Sequence, residues 1–291
     1  MRPPAAGKRI GRSVRPILLN LLVAAFAILT TIPLVWMVSV SLMPGGEANR
    51  FPPPFLPSRI SFEHYRDLIA GRWIDGVHFD YRILPAYGNS LALASLSTAF
   101  SLCLTIPAGY AFAKLRFPGR TQAFRLLLAA AVIPAQVAML PQFLMLQQIG
   151  LVNTYAGAML PQLAGIYATL YTRQSVLGIP DEMLDAARVD GASEWQVFWR
   201  IVVPLLRPVI VTLGLFAFLS SWGDFLWPLI ILTDQMSYTL PVALAAISRE
   251  HAQDGELMMA GAVLTTLPVL LIYLALQRYY IAGLLGGGVK G

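Results

Sequence analysis

Charge is what this sequence has least of. Only 12% of its 291 residues are Asp, Glu, Lys or Arg, about half the roughly 25% of ordinary soluble domains. With 57% apolar residues and a mean hydropathy of +0.64, the chain cannot be solvated as a water-soluble globule. Disorder is excluded as well, since it needs low hydrophobicity and high net charge. Cysteine is almost absent: the single Cys103 excludes an intrachain disulfide and any cysteine-based metal site, and is expected as a small packing residue. The three histidines, 64, 78 and 251, fall at no metal-ligand spacing and read as solvated or as partner contacts. There is no Gly-x-x-x-x-Gly-Lys-Ser/Thr loop to cradle a nucleotide. No nucleophile, base and orienting acid stand at a recognisable spacing. Neither an enzyme nor a cofactor is expected. What the absences leave is a polytopic membrane protein.

The apolar excess is distributed in runs. A spanning helix needs about 20 mostly apolar residues. No charge lies between Arg15 and Glu47, where residues 17–43 form the heart of the run, nor between Arg82 and Lys114. Between Arg125 and Arg173 lie 47 uncharged residues, enough for two helices with a break at the polar, glycine-containing stretch 147–154. A fifth run follows Arg207 to Thr233, interrupted only by Asp224, and a sixth covers 257–277. The expectation is an all-α fold with six transmembrane helices, spans three and four bent by Pro134, Pro141 and Pro161. The first run is nearly twice the 7 to 15 residues of a signal-peptide core, so a retained helix is expected.

Six spans put both termini on one side. That side receives 15 of the 21 basic residues and the other side six. The positive-inside pattern makes both termini cytoplasmic. The net charge of +6 therefore records orientation, not a nucleic-acid partner. The expected organisation is a basic cytoplasmic segment 1–16, a transmembrane domain 17–280 and a cytoplasmic tail 281–291. The outer loops 44–85 and 234–256 lack the length or periodicity of separate domains.

One inner loop, 179–204, is substantial. Pro180 suits a first helical turn, and Asp181 and Glu182 favour its positive end. Gly191 is placed to end that helix in a left-handed cap. Ser193 then caps a second helix, with Gln196 as its capping-box partner. Trp195, Phe198, Trp199 and Val202 fall at i, i+3, i+4, i+7, one apolar stripe, and Pro204 ends or kinks the helix. The product is a helix-glycine-helix elbow. Spacing leaves open an interfacial loop or a docking element for a cytoplasmic partner.

Asp185-Ala186-Ala187, Asp190-Gly191-Ala192, Ile201 and Pro204 resemble the "EAA" loop of bacterial ABC importer permeases, whose form is Glu-Ala-Ala, three residues, Gly, nine residues, Ile-x-Leu-Pro. Asp185 stands for the Glu and Val203 for the Leu. Asn89-Ser90-Leu91, the stretch 111–120 ending Phe117-Pro118-Gly119-Arg120, the stretch 221–228, Thr239-Leu240-Pro241-Val242 and the ending Val289-Lys290-Gly291 are similar to the carbohydrate-uptake branch of that family, its maltose-type G-type permease in particular. The resemblance runs from about residue 17 to the end. It implies an ABC importer type I transmembrane domain in the bacterial inner membrane, moving a sugar or sugar-like solute inward by alternating access. The implied partners are membrane lipid, a second homologous permease, two ATP-binding cassette ATPase subunits and an extracytoplasmic solute-binding protein. The elbow residues would sit in a cleft of the ATPase, and the tail would reach the ATPase dimer.

Asp224 is the single ionisable side chain well inside a span, flanked by Trp222 and Trp227. Such residues face a cavity or a partner. A carboxylate between aromatic faces suits a sugar pathway. The same residues suit a capped helix break with interfacial tryptophans, and Gly223 stands where the relatives carry Asn, so both readings stay open. Asn20, Ser95, Ser97 and Gln162 are expected to bond helix to helix rather than to bind solute. Two rivals remain: an ABC permease for a non-sugar solute, and a stand-alone secondary transporter. The latter calls for inverted repeats and mid-membrane ion clusters, and the sequence shows neither.

Overall fold

The computed structural model describes residues 11–74, 77–250 and 254–286. Most of the basic segment 1–16, the end of the tail 281–291, and His251 lie outside them. The chain divides into two compact units, Met1–Asp80 with Ile247–Leu264, and Tyr81–Ala246 with Thr265–Gly291.

In the first unit, α1 (Gly11–Ser41) carries a 26-residue apolar stretch, Pro16–Ser41, whose most apolar window buries nothing inside the protein. Ile17, Leu21, Phe26 and Leu29 all stand exposed. That is the surface a helix offers to lipid or to another apolar chain. The loop beyond it is organised by carboxylates rather than by apolar packing. Glu63 Oε1 accepts the Gly45 N–H at 2.8 Å, Glu256 Oε1 the Ala48 N–H at 2.8 Å, and Glu47 Oε1 the Ser58 N–H at 3.1 Å. Proline-rich loops lack regular partners for their amides, and buried amides must find acceptors. A short helix, α2 (Glu63–Ala70), and a hairpin of β1 (Arg72–Ile74) and β2 (Val77–Phe79) follow. His64 is buried, not solvated, with Nε2 3.1 Å from the Met43 carbonyl oxygen.

Among the described residues, the regular elements of the second unit are all helices. In order it contains α3 (Ile83–Lys114), α4 (Arg120–Ala130), α5 (Ala135–Gln148), α6 (Tyr155–Leu163), α7 (Ile166–Leu177), α8 (Asp181–Val189), α9 (Glu194–Val197), a π-turn (Phe198–Val202), α10 (Val203–Leu205), α11 (Arg207–Trp222) and α12 (Leu226–Ile231). The final helices, α13 (Leu240–Glu250) and α14 (Gly255–Gly286), run through both units. The 32-residue α3 is the axis, packed along α7, α11 and α6. Gly109 lets α7 close on it: a Cβ there would lie 2.5 Å from Thr172 Cβ. Cys103 is exposed on α3, so it does not serve as the buried packing residue its small size suggests.

Among the described residues three helices are long and apolar enough to cross a membrane, Pro16–Ser41, Ile83–Lys114 and Gly255–Gln277, or up to five if each of two bent pairs is one span. These three correspond to the first, second and sixth runs. The third run breaks between α4 and α5 with a bend of 106°. Pro134 lacks an N–H and pushes the residue before it out of the helical region, which ends α4. The fourth run is two helices, α6 and α7, interrupted at Ala164 and Gly165. The fifth breaks between Trp222 and Leu226. The break between runs three and four falls at the polar stretch: Gly150 and Asn153 have positive φ, and Thr154 Oγ1 caps α6 by accepting the Gly157 N–H at 3.0 Å.

Candidate functional site

The inner loop folds as the elbow its punctuation dictates. Leu184 buries the apolar face of α8. Gly191 sits at φ +86°. Its N–H donates to the Arg188 carbonyl at 3.0 Å, and the Ala192 N–H to the Ala187 carbonyl at 2.9 Å. This is the paired hydrogen-bond pattern of a Schellman cap, which satisfies the last carbonyls of α8. Ser193 opens α9 with a complete capping box: Ser193 Oγ accepts the Gln196 N–H, and Gln196 Oε1 accepts the Ser193 N–H at 2.8 Å. Ser193→Ala is expected to lower stability by about 1 kcal/mol. Thermal unfolding of the purified protein in detergent measures it, and an unchanged midpoint counts against the cap.

The apolar stripe divides where sequence spacing puts it on one face. Phe198 and Val202 are buried with Val197, whereas Trp195 is 66% and Trp199 49% exposed. The core-facing side is centred on Val197, Phe198 and Val202, and Trp195 and Trp199 fall at its edge and beyond. A π-turn, wider than the α-helical one, runs over Phe198–Val202. Buried Phe198 packs against Tyr110 of α3, with ring centroids 5.3 Å apart. It joins a core built from Ile106, Val176, Leu184 and Leu213. A 77° bend then separates Glu194–Leu205 from α11, with Pro204 two residues before Leu206.

Two polar clamps fix the elbow to the end of α3. Lys114 Nζ donates to Asp181 Oδ1 at 2.6 Å and to the Ile179 carbonyl at 2.7 Å. Its own side chain is 8% exposed. Tyr110 OH donates to Glu194 Oε2 at 2.8 Å. Arg188 Nε donates to Glu194 Oε1 at 2.7 Å, and its Nη1 to Asp185 Oδ1 at 2.6 Å. These two carboxylates raise the Arg188 pKa further above its ordinary value.

The hydrogen bond from Lys114, reinforced by its charge, holds the Asp181 carboxyl below the usual carboxylate range. A depressed carboxylate contributes stability above its unfolded pKa of about 3.9 and loses it as pH falls through the lower folded value. Lys114→Met is therefore expected to lower the melting midpoint by a constant amount near neutrality. The gap to the native chain should shrink below about pH 4. A gap independent of pH would remove Asp181 from the clamp.

The residues carrying the sequence motif lie together on this elbow. Asp185 is exposed and paired with Arg188. Ala186 is exposed, while Ala187, Ala192 and Ile201 pack against the core. Asp190 and Gly191 are exposed at the turn. Tyr110, Lys114, Arg188 and Glu194 were not among the expected site residues. Tyr110 and Lys114 stand four apart at the end of a helix, a spacing that puts two polar groups on one face. That spacing is the signal that could have found them.

Asp224 lies in the break after α11, and its Oδ2 accepts from Gln162 Nε2 at 2.8 Å. Gln162 stands just before the break between α6 and α7, so the bond ties together the interruptions of two spans. Trp222 is buried, stacked on Phe218 at 5.9 Å and edge-on to Tyr87 at 5.5 Å. Its Nε1 donates to the Thr265 carbonyl at 3.1 Å. Trp227 is buried among Leu93, Leu146 and Ile231, and its Nε1 donates to the Gly157 carbonyl at 3.2 Å. Both indoles thus have their N–H satisfied and their rings packed. Among the described residues no group of three His, Cys, Asp or Glu could hold a metal ion.

Residues 105–285 match the family described as "Binding-protein-dependent transport system inner membrane component". The arabinooligosaccharides transport system permease protein AraQ of Halalkalibacterium halodurans is 34% identical over 285 residues, 96% of this chain and 99% of that protein. The galactooligosaccharides transport system permease protein GanQ of Bacillus subtilis is 31% identical over 290 residues, 98% of this chain and 99% of that protein. Among solved structures, a chain of a bacterial ABC transporter involved in import of the acidic polysaccharide alginate shares the fold. Its TM-score is 0.79 at 22% identity, over 96% of this chain and 100% of that one.

Proposed function

We propose that this chain, which belongs to the family of inner membrane components of binding-protein-dependent transport systems, is the permease subunit of an ABC importer for a sugar or sugar-like solute. The observation that carries the reading is the elbow. Gly191 and Asp190 stand exposed at a capped turn, while the helices on either side are packed and clamped onto α3. A rigid surface projection of this kind transmits a push from a partner into the spans instead of absorbing it. The oligosaccharide names of the full-length relatives support the solute class.

In this reading the chain crosses the membrane six times with both termini cytoplasmic. Residues 17–280 are the transmembrane domain, 179–204 the coupling elbow, and 1–16 and 281–291 cytoplasmic ends. Asp185, Ala186, Ala187, Asp190, Gly191, Ala192, Ile201 and Pro204 couple the chain to an ATP-binding cassette ATPase, the exposed Asp185, Ala186, Asp190 and Gly191 meeting it and Ala187, Ala192 and Ile201 seating the elbow on the core. A second homologous permease, two ATPase subunits, an extracytoplasmic solute-binding protein and surrounding lipid complete the assembly. Asp224 and Gln162 pin the two broken spans at a common pivot, braced by Trp222 and Trp227, so that rocking at the elbow opens the pathway on alternate sides.

Reconstitution in vesicles with its partners tests this reading. Accumulation of a neutral oligosaccharide is expected only with internal ATP and the binding protein present. Accumulation by the chain alone, driven by an ion gradient, would make it a secondary transporter.

A further inference from the structure

The face of α3 toward α7 carries hydroxyls at Ser97, Ser101 and Thr105, four residues apart and so aligned along one side of the helix. All three residues are buried. In a helix such hydroxyls commonly bond a carbonyl one turn back. Here Ser97 Oγ and Thr105 Oγ1 have no hydrogen-bond partner. Native proteins leave few buried polar atoms unpaired, and each one asks what it is for. Ser97, 3% exposed, gives onto a half-open cleft of about 520 Å³ between α3, α7 and α11. That volume lies within the roughly 300–1,000 Å³ of small-molecule sites.

The wall continues through Ser101, Gln162, Tyr167, Tyr171 and Thr212. The cleft opens where α6 and α7 part. Gly165 lines it at that break, and a Cβ there would lie 3.0 Å from Ser101 Oγ, so a side chain at 165 would crowd the floor. Interrupted helices expose backbone and polar groups inside a span, and in many secondary transporters they form the solute site.

The chemistry of the wall is one-sided. None of its lining residues is Asp, Glu, Lys, Arg or His. A charged solute entering it would shed hydration with no counter-ion to replace it. The Gln162 amide already donates to Asp224 Oδ2 at 2.8 Å, so it brings no free positive group to an anion. Hydroxyls of serine and tyrosine both donate and accept, as sugar hydroxyls do. Tyr167, Tyr171 and Phe216 offer aromatic surface for the apolar face of a pyranose or furanose ring. Thr212 Oγ1 already donates to the Pro208 carbonyl at 2.9 Å, so it can only accept from a solute.

We infer that this cleft is a subsite for one neutral sugar unit of an oligosaccharide, with Ser97 and Ser101 as its hydrogen-bonding floor, and that it rejects uronates. The inference rests on the reading of the chain as a sugar permease and makes it more specific. Trp222, Asp224 and Trp227 do not line the cleft, whereas Ser97 and Gln162 do; Gln162 also makes the bond between elements expected of it, to Asp224.

The test uses the complete transporter in vesicles with Cys103→Ser as background and Ser101→Cys as reporter. The probes are a panel of neutral di- to tetrasaccharides of glucose, galactose and arabinose, and trigalacturonate. At least one neutral probe is expected to slow thiol modification at position 101 by roughly fivefold at saturation, with no protection by the uronate. Equal protection by both overturns the charge selectivity. No protection by any neutral sugar overturns the subsite. ATP-dependent uptake of a sugar by the Cys103→Ser transporter, measured in parallel, separates the two failures. Uptake without protection leaves the permease reading standing and removes the cleft, whereas absence of all sugar uptake removes both. Ser101→Leu, which fills the floor, is expected to lower uptake roughly tenfold with an unchanged melting midpoint. Native uptake by that variant also overturns the subsite.

Discussion

Gly109→Val is expected to prevent the transmembrane unit from assembling, with little monodisperse protein recovered in detergent. The side chain has nowhere to go. A Cβ at this position would lie 2.5 Å from Thr172 Cβ, 2.6 Å from Thr172 Cγ2 and 2.9 Å from the Arg173 backbone nitrogen. A flexible side chain could rotate away, but a backbone atom can move only with its helix. Relieving the contact therefore means separating α3 from α7 along their length. That seam contains Ile106, Tyr110 and Val176, so the separation would unpack the core on which the elbow rests. Ordinary overpacking costs about 1–3 kcal/mol, and backbone displacement puts this change at or above the top of that range. Small residues at such crossings are how membrane helices approach closely. The control lies on the same helix: Gly88 has nothing within 4 Å of its would-be Cβ, and Gly88→Val should leave recovery and melting midpoint unchanged. Normal recovery of Gly109→Val by size-exclusion chromatography would show that the seam is looser than its geometry.

The contrast between those two glycines marks where sequence stops being informative. Both sit in one long apolar run, and nothing in the residues around them says which meets a neighbour. That information belongs to the pairing of α3 with α7, more than fifty residues away. The elbow is the opposite case. Its cap signals, Gly191, Ser193 and Gln196, act within a few residues of themselves, so their spacing determined the local fold before any packing was known. The π-turn at Phe198 was not visible, because Phe198 and Val202, four apart, already share a face in a regular helix, so their spacing carries no sign of it. The charge-free runs announced helices. Their interruptions at Pro134, Gly165 and Asp224 were only partly announced, since a proline or an acid in a span can bend it, cap it or simply be tolerated. Asp224 and Gln162 each stood out as polar residues in apolar surroundings, and only the fold showed that they are each other's partners.

Gly191→Val is the second change with a large expected effect, and it should act on transport rather than on folding. Gly191 has φ +86° and nothing within 4 Å of its would-be Cβ, so the strain is conformational alone. An L-residue held in the left-handed region loses roughly 1–2 kcal/mol, and a β-branched one more. Against a typical stability of about 5–15 kcal/mol the chain still folds and inserts. The cheaper response is local: the turn leaves the left-handed region and the Ala192-to-Ala187 bond breaks. Asp190 and the start of α9 are then presented at a different angle to whatever docks there. Uptake by the reconstituted complex is expected to fall by about tenfold or more, with ATP hydrolysis by the partner subunits retained and no longer productive. Gly191→Asn, which tolerates the left-handed region, should keep most of the uptake. Gly119 provides the matched control, because it too has positive φ, +80°, and nothing within 4 Å, but it sits in the turn between α3 and α4, outside the elbow. Gly119→Val introduces the same strain and should leave coupling intact. Equal loss of uptake in the two valine variants would assign the defect to general strain and take the coupling role away from the elbow.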